Sequence, residues 1–231
     1  MPSLRLISWN CRSGSPATRL SELSEHSPDI VFLQECAPTA RCSAPGKFLS
    51  RSVSTTKGIA LGSLSEEYRL TKVRRRTGAG KAVIAATAAG PVSFSVLCIW
   101  AQAPAYAKDV MRSLEAYDNV LRAGPTVVIG DLNSGTCLHR QEPVSRRHQA
   151  MIGALEDAGL VSAYHAFHKI EHGQETHATY RHQFKASQAW HIDFCFIPAS
   201  WAKHLIDARP LDGSEWAGRS DHFPLRVELR F

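Results

Sequence analysis

Long apolar runs are missing from the sequence. No stretch approaches the ~20 residues a membrane-crossing helix needs, so no membrane partner is expected. Repeats, low-complexity tracts and linker-like segments are missing too. The 15 glycines and 12 prolines fall as isolated punctuation, which argues for one domain over residues 1–231. There is no acidic excess: 27 Lys and Arg against 21 Asp and Glu give +6 and a pI near 9.1. That balance excludes an acidic solvating chain and leaves room for a polyanionic partner. Cys11, Cys36, Cys42, Cys98, Cys137 and Cys195 form no CxxC pair. A disulfide framework is therefore not expected, and buried reduced thiols are. The opening MPSLRLISWN runs straight into a strand-like stretch without a signal-peptide pattern, and the reduced thiols lead to the expectation of a cytoplasmic location.

What is present is a series of short apolar runs. LRLISW (4–9), DIVFLQ (29–34), KAVIAATAA (81–89), VSFSVLCIW (92–100), TVVIG (126–130), IDFCFI (192–197) and FPLRVEL (223–229) have the length and residue types of strands. Gly90-Pro91 alone separates two of them and predicts a hairpin. Helical spacing lies between others. Ser15-Pro16 reads as an N-cap and first helical residue before Leu20 and Leu23. Val110, Leu114, Tyr117 and Leu121 predict a helix stopped by Gly124-Pro125, and Ser145 opens a third, ending at Gly159. Strands mixed with helices and a hairpin imply a mixed sheet or two sheets.

The strand ends carry the chemistry. LRLISW runs into Asn10, DIVFLQ into Glu35, and TVVIG into Asp131 with Asn133 two residues on; His191-Ile192-Asp193 and Ser220-Asp221-His222 stand where two strands begin. A single Asp or Asn after a strand is an ordinary turn former. Five such ends converging make a pocket with four carboxylates, two amides and His222. Those carboxylates cannot all stay ionised together without a cation. Oxygen-rich ligands without thiolate suit Mg²⁺ or Mn²⁺, and a hard ion in a basic chain points to phosphate esters.

Taken in order, SWN (8–10), QE (34–35), GDLN (130–133), HIDF (191–194) and SDH (220–222) resemble the endonuclease/exonuclease/phosphatase superfamily, which includes deoxyribonuclease I, exonuclease III and the AP endonucleases. The resemblance implies an α/β fold, a four-layered α/β/β/α sandwich of two packed mixed sheets flanked by helices. It implies metal ligation by Glu35, Asn10 and Asp221. Asp131 would orient and deprotonate the attacking water, Asn133 would hold the phosphate, and Asp193 and His222 would form a carboxylate–histidine pair. Trp100 stands where many members end the strand with His or Tyr. Indole cannot serve as a general acid, so either Tyr106 reaches in or the role is absent, and absence is expected. Arg12 resembles the deoxyribonuclease I pattern and suits a phosphate clamp.

Weaker signals carry two readings each. Arg74, Arg75 and Arg76 read as a phosphate-tracking loop or a solvated strand end. Arg146-Arg147 at a helix start oppose the helix dipole, which leaves an anionic partner or plain surface. Trp216 could stack on a base or cap the sheet edge. His165, His168, His172, His177 and His182 suggest zinc, but Gly173 interrupts the segment, no cysteine joins them, and zinc is not expected. Tyr180 or His182 could line the substrate groove. The combined expectation is a Mg²⁺- or Mn²⁺-dependent phosphodiesterase, a monomeric nuclease on DNA. The alternatives are a hydrolase of small phosphoesters such as inositol phosphates and phospholipid headgroups, and a catalytically dead nucleic-acid binding module.

Overall fold

The computed structural model describes residues 1–38, 47–136 and 142–231, with the backbone alone for 142–146. The strands are β1 (Ser3–Asn10), β2 (Ile30–Cys36), β3 (Phe48–Ser52), β4 (Gly58–Ser63), β5 (Arg69–Lys72), β6 (Val83–Ala89), β7 (Phe94–Ile99), β8 (Thr126–Asp131), β9 (Leu160–Ser162), β10 (Tyr180–Arg181), β11 (Ala189–Trp190), β12 (Asp193–Pro198), β13 (Leu205–Pro210) and β14 (Leu225–Arg230). The helices are α1 (Pro16–Leu23), α2 (Tyr106–Ala116), α3 (Asp118–Leu121), α4 (Glu142–Asp157) and α5 (Ala163–His168).

Two six-stranded sheets result, in the orders β13-β14-β1-β2-β4-β3 and β5-β6-β7-β8-β12-β9. Each is mixed. In the first, β1 and β2 run parallel while β14 and β4 flank them antiparallel. In the second, β7 and β8 run parallel while β6 and β12 flank them antiparallel. A parallel pair needs a crossover, supplied by α1 in one sheet and by α2 and α3 in the other.

The central strands are buried on both faces, which is why they read as near-continuous apolar runs. In β1, Leu4 and Leu6 join the layer between the sheets, with Phe32, Ile84, Val96, Ile129 and Cys195. Ile7 and Trp9 face outward and pack with Leu23 of α1. On the far side, Val110, Leu114, Met151 and Leu155 cover Leu97, Val128 and Phe196. The layers are thus α/β/β/α. Among the described residues no helix is long and apolar enough to cross a membrane.

Local signals explain several elements. Ser15 accepts from the Thr18 amide and Pro16 opens α1. The Gly90-Pro91 hairpin joins β6 to β7 in register, Val83 opposite Ile99. The helix predicted through Leu121 breaks at Tyr117, whose φ and ψ are −110° and 19°. The cause is tertiary: its ring is buried and its hydroxyl accepts from the Arg76 amide. The third helix is already formed at Glu142, ahead of Ser145. The histidine segment does not continue as helix, because Lys169 adopts a left-handed conformation after His168. Cys11, Cys98 and Cys195 are free and buried, and Cys36 is buried, whereas Cys42 and Cys137 lie outside the described residues.

Candidate active site

Alternation along the strands aims the polar residues. Asn10 lies on the Leu4–Leu6 side of β1, Asp131 on the Val127–Ile129 side of β8, and Asp193 on the Cys195–Ile197 side of β12. All three sides face the other sheet. Asp193 stands opposite Asp131 in the β8–β12 register, so two carboxylates meet at one edge of the sandwich. Gly130 lets β8 close on the end of β7 just before Asp131. Its φ is 145°, and a Cβ there would lie 1.9 Å from the Ile99 carbonyl oxygen.

Glu35 reaches the same edge by a different device. Strict alternation would send it away from Gln34, toward the outer face. A bulge between Gln34 and Cys36, with Glu35 at φ 59°, re-aims it. The Asn10 amide then donates to Glu35 Oε1 at 3.2 Å and to Asp131 Oδ2 at 2.9 Å, bridging the two sheets. Glu35 Oε2 is paired with the Lys57 ammonium, which also lies 6.0 Å from the centre of the Trp100 ring. The sequence reading gave Lys57 no role; its position before β4, beside β2, is what brings it to Glu35.

Asp131 is fully buried and accepts from the Asn133 backbone amide at 2.9 Å and from Asn133 Nδ2 at 3.0 Å. Asn133 Nδ2 also donates to the Ala101 carbonyl at 3.3 Å. Both amide hydrogens are therefore committed, and Asn133 fixes the carboxylate rather than offering a free donor to phosphate. Burial and the nearby Asp193 push Asp131 up to about 7, against the pull of His222.

His222 Nδ1 donates to Asp193 Oδ2 at 2.9 Å, and its Nε2 lies 4.0 Å from Asp131 Oδ2. Burial works against the imidazolium, but Asp193 and then Asp131 overcome it and raise His222 to about 9. The surrounding backbone is pinned. Ser220 Oγ donates to the Asn10 carbonyl at 2.7 Å and accepts from the His222 amide, while the Trp9 indole donates to the His222 carbonyl at 3.0 Å. Thr179 is a further positioning residue absent from the sequence reading. Its buried hydroxyl oxygen accepts from the Ile192 and Asp193 amides, each at 3.0 Å, and its carbonyl accepts from Phe223. No motif marks it; only tertiary folding brings it beside β12.

Around this centre, Tyr180 packs its ring 4.5 Å from His222 and donates or accepts at His182 Nδ1, 2.8 Å away. Burial, then Asp221, Asp131 and Glu35, push its phenol up to about 12, so it stays protonated. Asp221 stands next to His222 and accepts from Ser220 Oγ at 3.5 Å. Arg12 places its guanidinium 4.9 Å from the Phe184 ring, and Phe184 is 43% exposed. Phe184 was not singled out from the sequence, where it is one aromatic in a polar segment.

One expectation needs correction and another narrowing. Trp216 does not offer a face for stacking on a base: it is 1% exposed and packs edge-on against Trp9 at 5.1 Å, under α1. The polar sequence DGSEWAGR hides this, because its burial comes from a distant strand. Trp100 is buried in the layer between the sheets. Arg75 closes its own loop by donating to the Ala79 and Gly80 carbonyls.

Two groups of potential metal ligands occur among the described residues, and one is Asp131, Asp193 and His222. His222 is committed to Asp193 and held as imidazolium, which has no lone pair for a metal. Carboxylate and amide oxygens, such as those of Glu35 and Asn10 at this edge, are the donor type that suits a hard divalent ion.

The comparisons agree with this architecture. The chain is similar to an AP endonuclease from Archaeoglobus fulgidus, with TM-score 0.73 and 18% identity over 99% of this chain and 100% of that one. It is equally similar in shape to a 3'-5' exonuclease from Neisseria meningitidis, with TM-score 0.73 and 21% identity over 99% and 100%. A 3' phosphatase from Neisseria, solved with a product DNA hairpin, gives TM-score 0.71 and 20% identity over 99% and 100%. No curated protein matches the sequence. The family profile described as Endonuclease/Exonuclease/phosphatase matches residues 7–222, and it indicates a phosphoester hydrolase of the nuclease/phosphatase type. On that match over nearly its whole length, the chain belongs to the endonuclease/exonuclease/phosphatase family.

Proposed function

We propose that the protein is a Mg²⁺- or Mn²⁺-dependent phosphodiesterase that hydrolyses DNA. One observation carries the reading: a fully buried Asp131, poised near neutrality, stands between the Glu35–Asn10 pair on one side and the His222–Asp193 pair on the other.

Glu35, Asn10 and Asp221 are the proposed holders of the ion. When bound, it draws charge from the phosphoryl oxygen and steadies the leaving oxyanion. Asp131 takes the proton of the attacking water; a base near 7 balances availability against proton affinity. Asn133 keeps that carboxylate in one orientation. His222, protonated by virtue of Asp193, presents Nε2–H to the phosphate or the departing oxygen. With Trp100 unable to act as an acid, this imidazolium carries the leaving-group work.

DNA is favoured over a small phosphoester by what flanks the centre. Phe184 offers an exposed ring to a base while Arg12 beside it meets a phosphate. Lys108 and Arg147 line one groove with Tyr106 and Ser134, extending positive charge beyond a single phosphate. The relatives named above include a DNA-bound structure.

A substrate panel tests the proposal: plasmid, single-stranded DNA, abasic duplex, RNA and inositol phosphates, each with Mg²⁺, Mn²⁺ or EDTA. The expected outcome is cleavage of a DNA substrate with either ion and none with EDTA. Turnover confined to inositol phosphates would remove the nuclease reading, and undiminished cleavage in EDTA would remove the ion.

A further inference from the structure

The charge of the chain is unevenly placed. Residues 68–108 contain seven Lys and Arg and no Asp or Glu. That stretch carries +7 within a total of +6, so everything else sums to −1. At its middle is the connection from β5 to β6, which holds Arg74, Arg75, Arg76 and Lys81.

Strand directions put this connection on the catalytic edge. β8 ends at Asp131, and β7, parallel to it, ends at the same edge. β6 is antiparallel to β7 and begins there; β5 is antiparallel to β6 and ends there. Backbone hydrogen bonds make the edge continuous. The Ala101 amide donates to the Asp131 carbonyl at 2.9 Å, the Trp100 amide to the Ala82 carbonyl at 3.0 Å, and the Val73 amide to the Ala85 carbonyl at 2.8 Å. Three strand spacings of ~4.8 Å lie between β8 and β5, which sets the arginines about 15 Å from Asp131.

The connection is held rigid from several sides. Arg75 donates to the Ala79 and Gly80 carbonyls, each at 3.1 Å. The Arg76 amide donates to the Tyr117 hydroxyl, the Gly80 amide to Ser113 Oγ at 3.0 Å, and Arg51 Nε of β3 to the Lys81 carbonyl at 2.7 Å. These ties use the Arg75 side chain or backbone atoms of the loop. The side chains of Arg74, Arg76 and Lys81 stay exposed and have no ion-pair partner among the described residues. Arg51 is itself held below its ordinary 12.5 by burial and then by the neighbouring Arg75. A fixed loop of like charges loses little further entropy when it takes a polyanion.

We propose that Arg74, Arg76 and Lys81 form a track for the DNA backbone, taking phosphates about 15 Å from the one being cleaved. The inference rests on the nuclease reading above and extends it to a polymeric substrate. At 3.4 Å per base pair, the duplex reaches about four base pairs past the scissile bond before it meets the track. An anionic membrane is the other large polyanion, and the loop is poorly made for it. A membrane-docking segment needs an exposed apolar anchor, whereas Val73 is half-buried against the α2 layer and Ala79 is buried.

The test measures binding in EDTA, so it does not depend on hydrolysis. A fluorescent 20-base-pair duplex is titrated between 50 and 200 mM salt with three proteins: wild type, Arg74→Gln/Arg76→Gln/Lys81→Gln, and Arg69→Gln/Lys203→Gln/Arg230→Gln. The last removes equal charge at the opposite edge, where β5 begins, β12 has ended and β14 ends. Near-UV circular dichroism checks that all three share one fold. Each lost phosphate contact lowers the slope of log K against log salt by ~0.9, so a fall of about 2 to 3 is expected for the first variant and a wild-type slope for the second. An unchanged slope in the first variant, or an equal fall in both, overturns the track and leaves the nuclease reading standing. A wild-type chain that ignores the duplex but binds phosphatidylserine vesicles through the same three residues overturns both.

Discussion

Asp131 and His222 show how environment assigns roles to ordinary side chains. Burial with Asp193 across the sheet makes one carboxylate basic near neutral pH, and the same Asp193 keeps the imidazole charged. On the proposed mechanism, Asp131→Asn and His222→Gln each reduce kcat by a factor of ~10²–10⁴ while the far-UV and near-UV spectra keep their wild-type form. Wild-type turnover in either variant would dismiss that residue from the chemistry. His191 is the opposite case. Burial holds it down at about 4, below its ordinary 6.5, so the folded chain binds its proton later than the unfolded chain does. Its contribution to stability is present above 6.5 and is lost as pH falls from there toward 4. Urea midpoints measured across that window should fall with pH, and His191→Gln should flatten the slope. These residue-level environments were only partly legible in the sequence. Asn10, Glu35, Asp131, Asp193 and His222 stand at strand ends, where position alone flags them. Lys57, Thr179 and Phe184 carry no such mark, because each acquires its neighbours through segments far away in the chain.

Strands and their irregularities do the aiming. The strands of DIVFLQ and TVVIG were evident from their composition, but the bulge at Glu35 was not, since it arises from the register of β2 against β4. Short edge strands such as β3, β5 and β9 were missed for a related reason. They have few apolar residues and owe their conformation to pairing rather than to pattern. Trp216 failed in the other direction, as a hydrophobic residue in a polar loop that turns out to be core. At this scale Thr179→Val makes a sharp prediction. The side chain keeps its shape, but the Ile192 and Asp193 amides lose their acceptor in a dry environment. A stability loss of about 2 kcal/mol is expected, read from denaturant midpoints, together with a drop in kcat. A midpoint equal to wild type would show that the hydroxyl is not needed to satisfy these amides.

Across the whole molecule, the layered architecture explains why composition and hydropathy said so much about fold. Four layers need strands buried on both faces, and such strands announce themselves as apolar runs. Net charge says less: Lys57 at the centre is already paired with Glu35, and Arg12, Lys108 and Arg147 are the other cations discussed that lie near the centre or its groove. If the partner is a nucleic acid, cleavage should weaken steeply as salt rises from 50 to 200 mM, through both kcat/KM and binding. A flat salt profile would point to a substrate with one or two phosphates. The Asn10 amide, with one hydrogen bond to Glu35 in its own sheet and one to Asp131 in the other, has a mechanical corollary. Any sliding of one sheet over its neighbour by an ångström or two pulls base and ligand apart before the apolar layer has opened. Catalysis should thus vanish on gentle heating while the chain is still folded, making turnover a more sensitive gauge of sheet alignment than any spectroscopic melting curve.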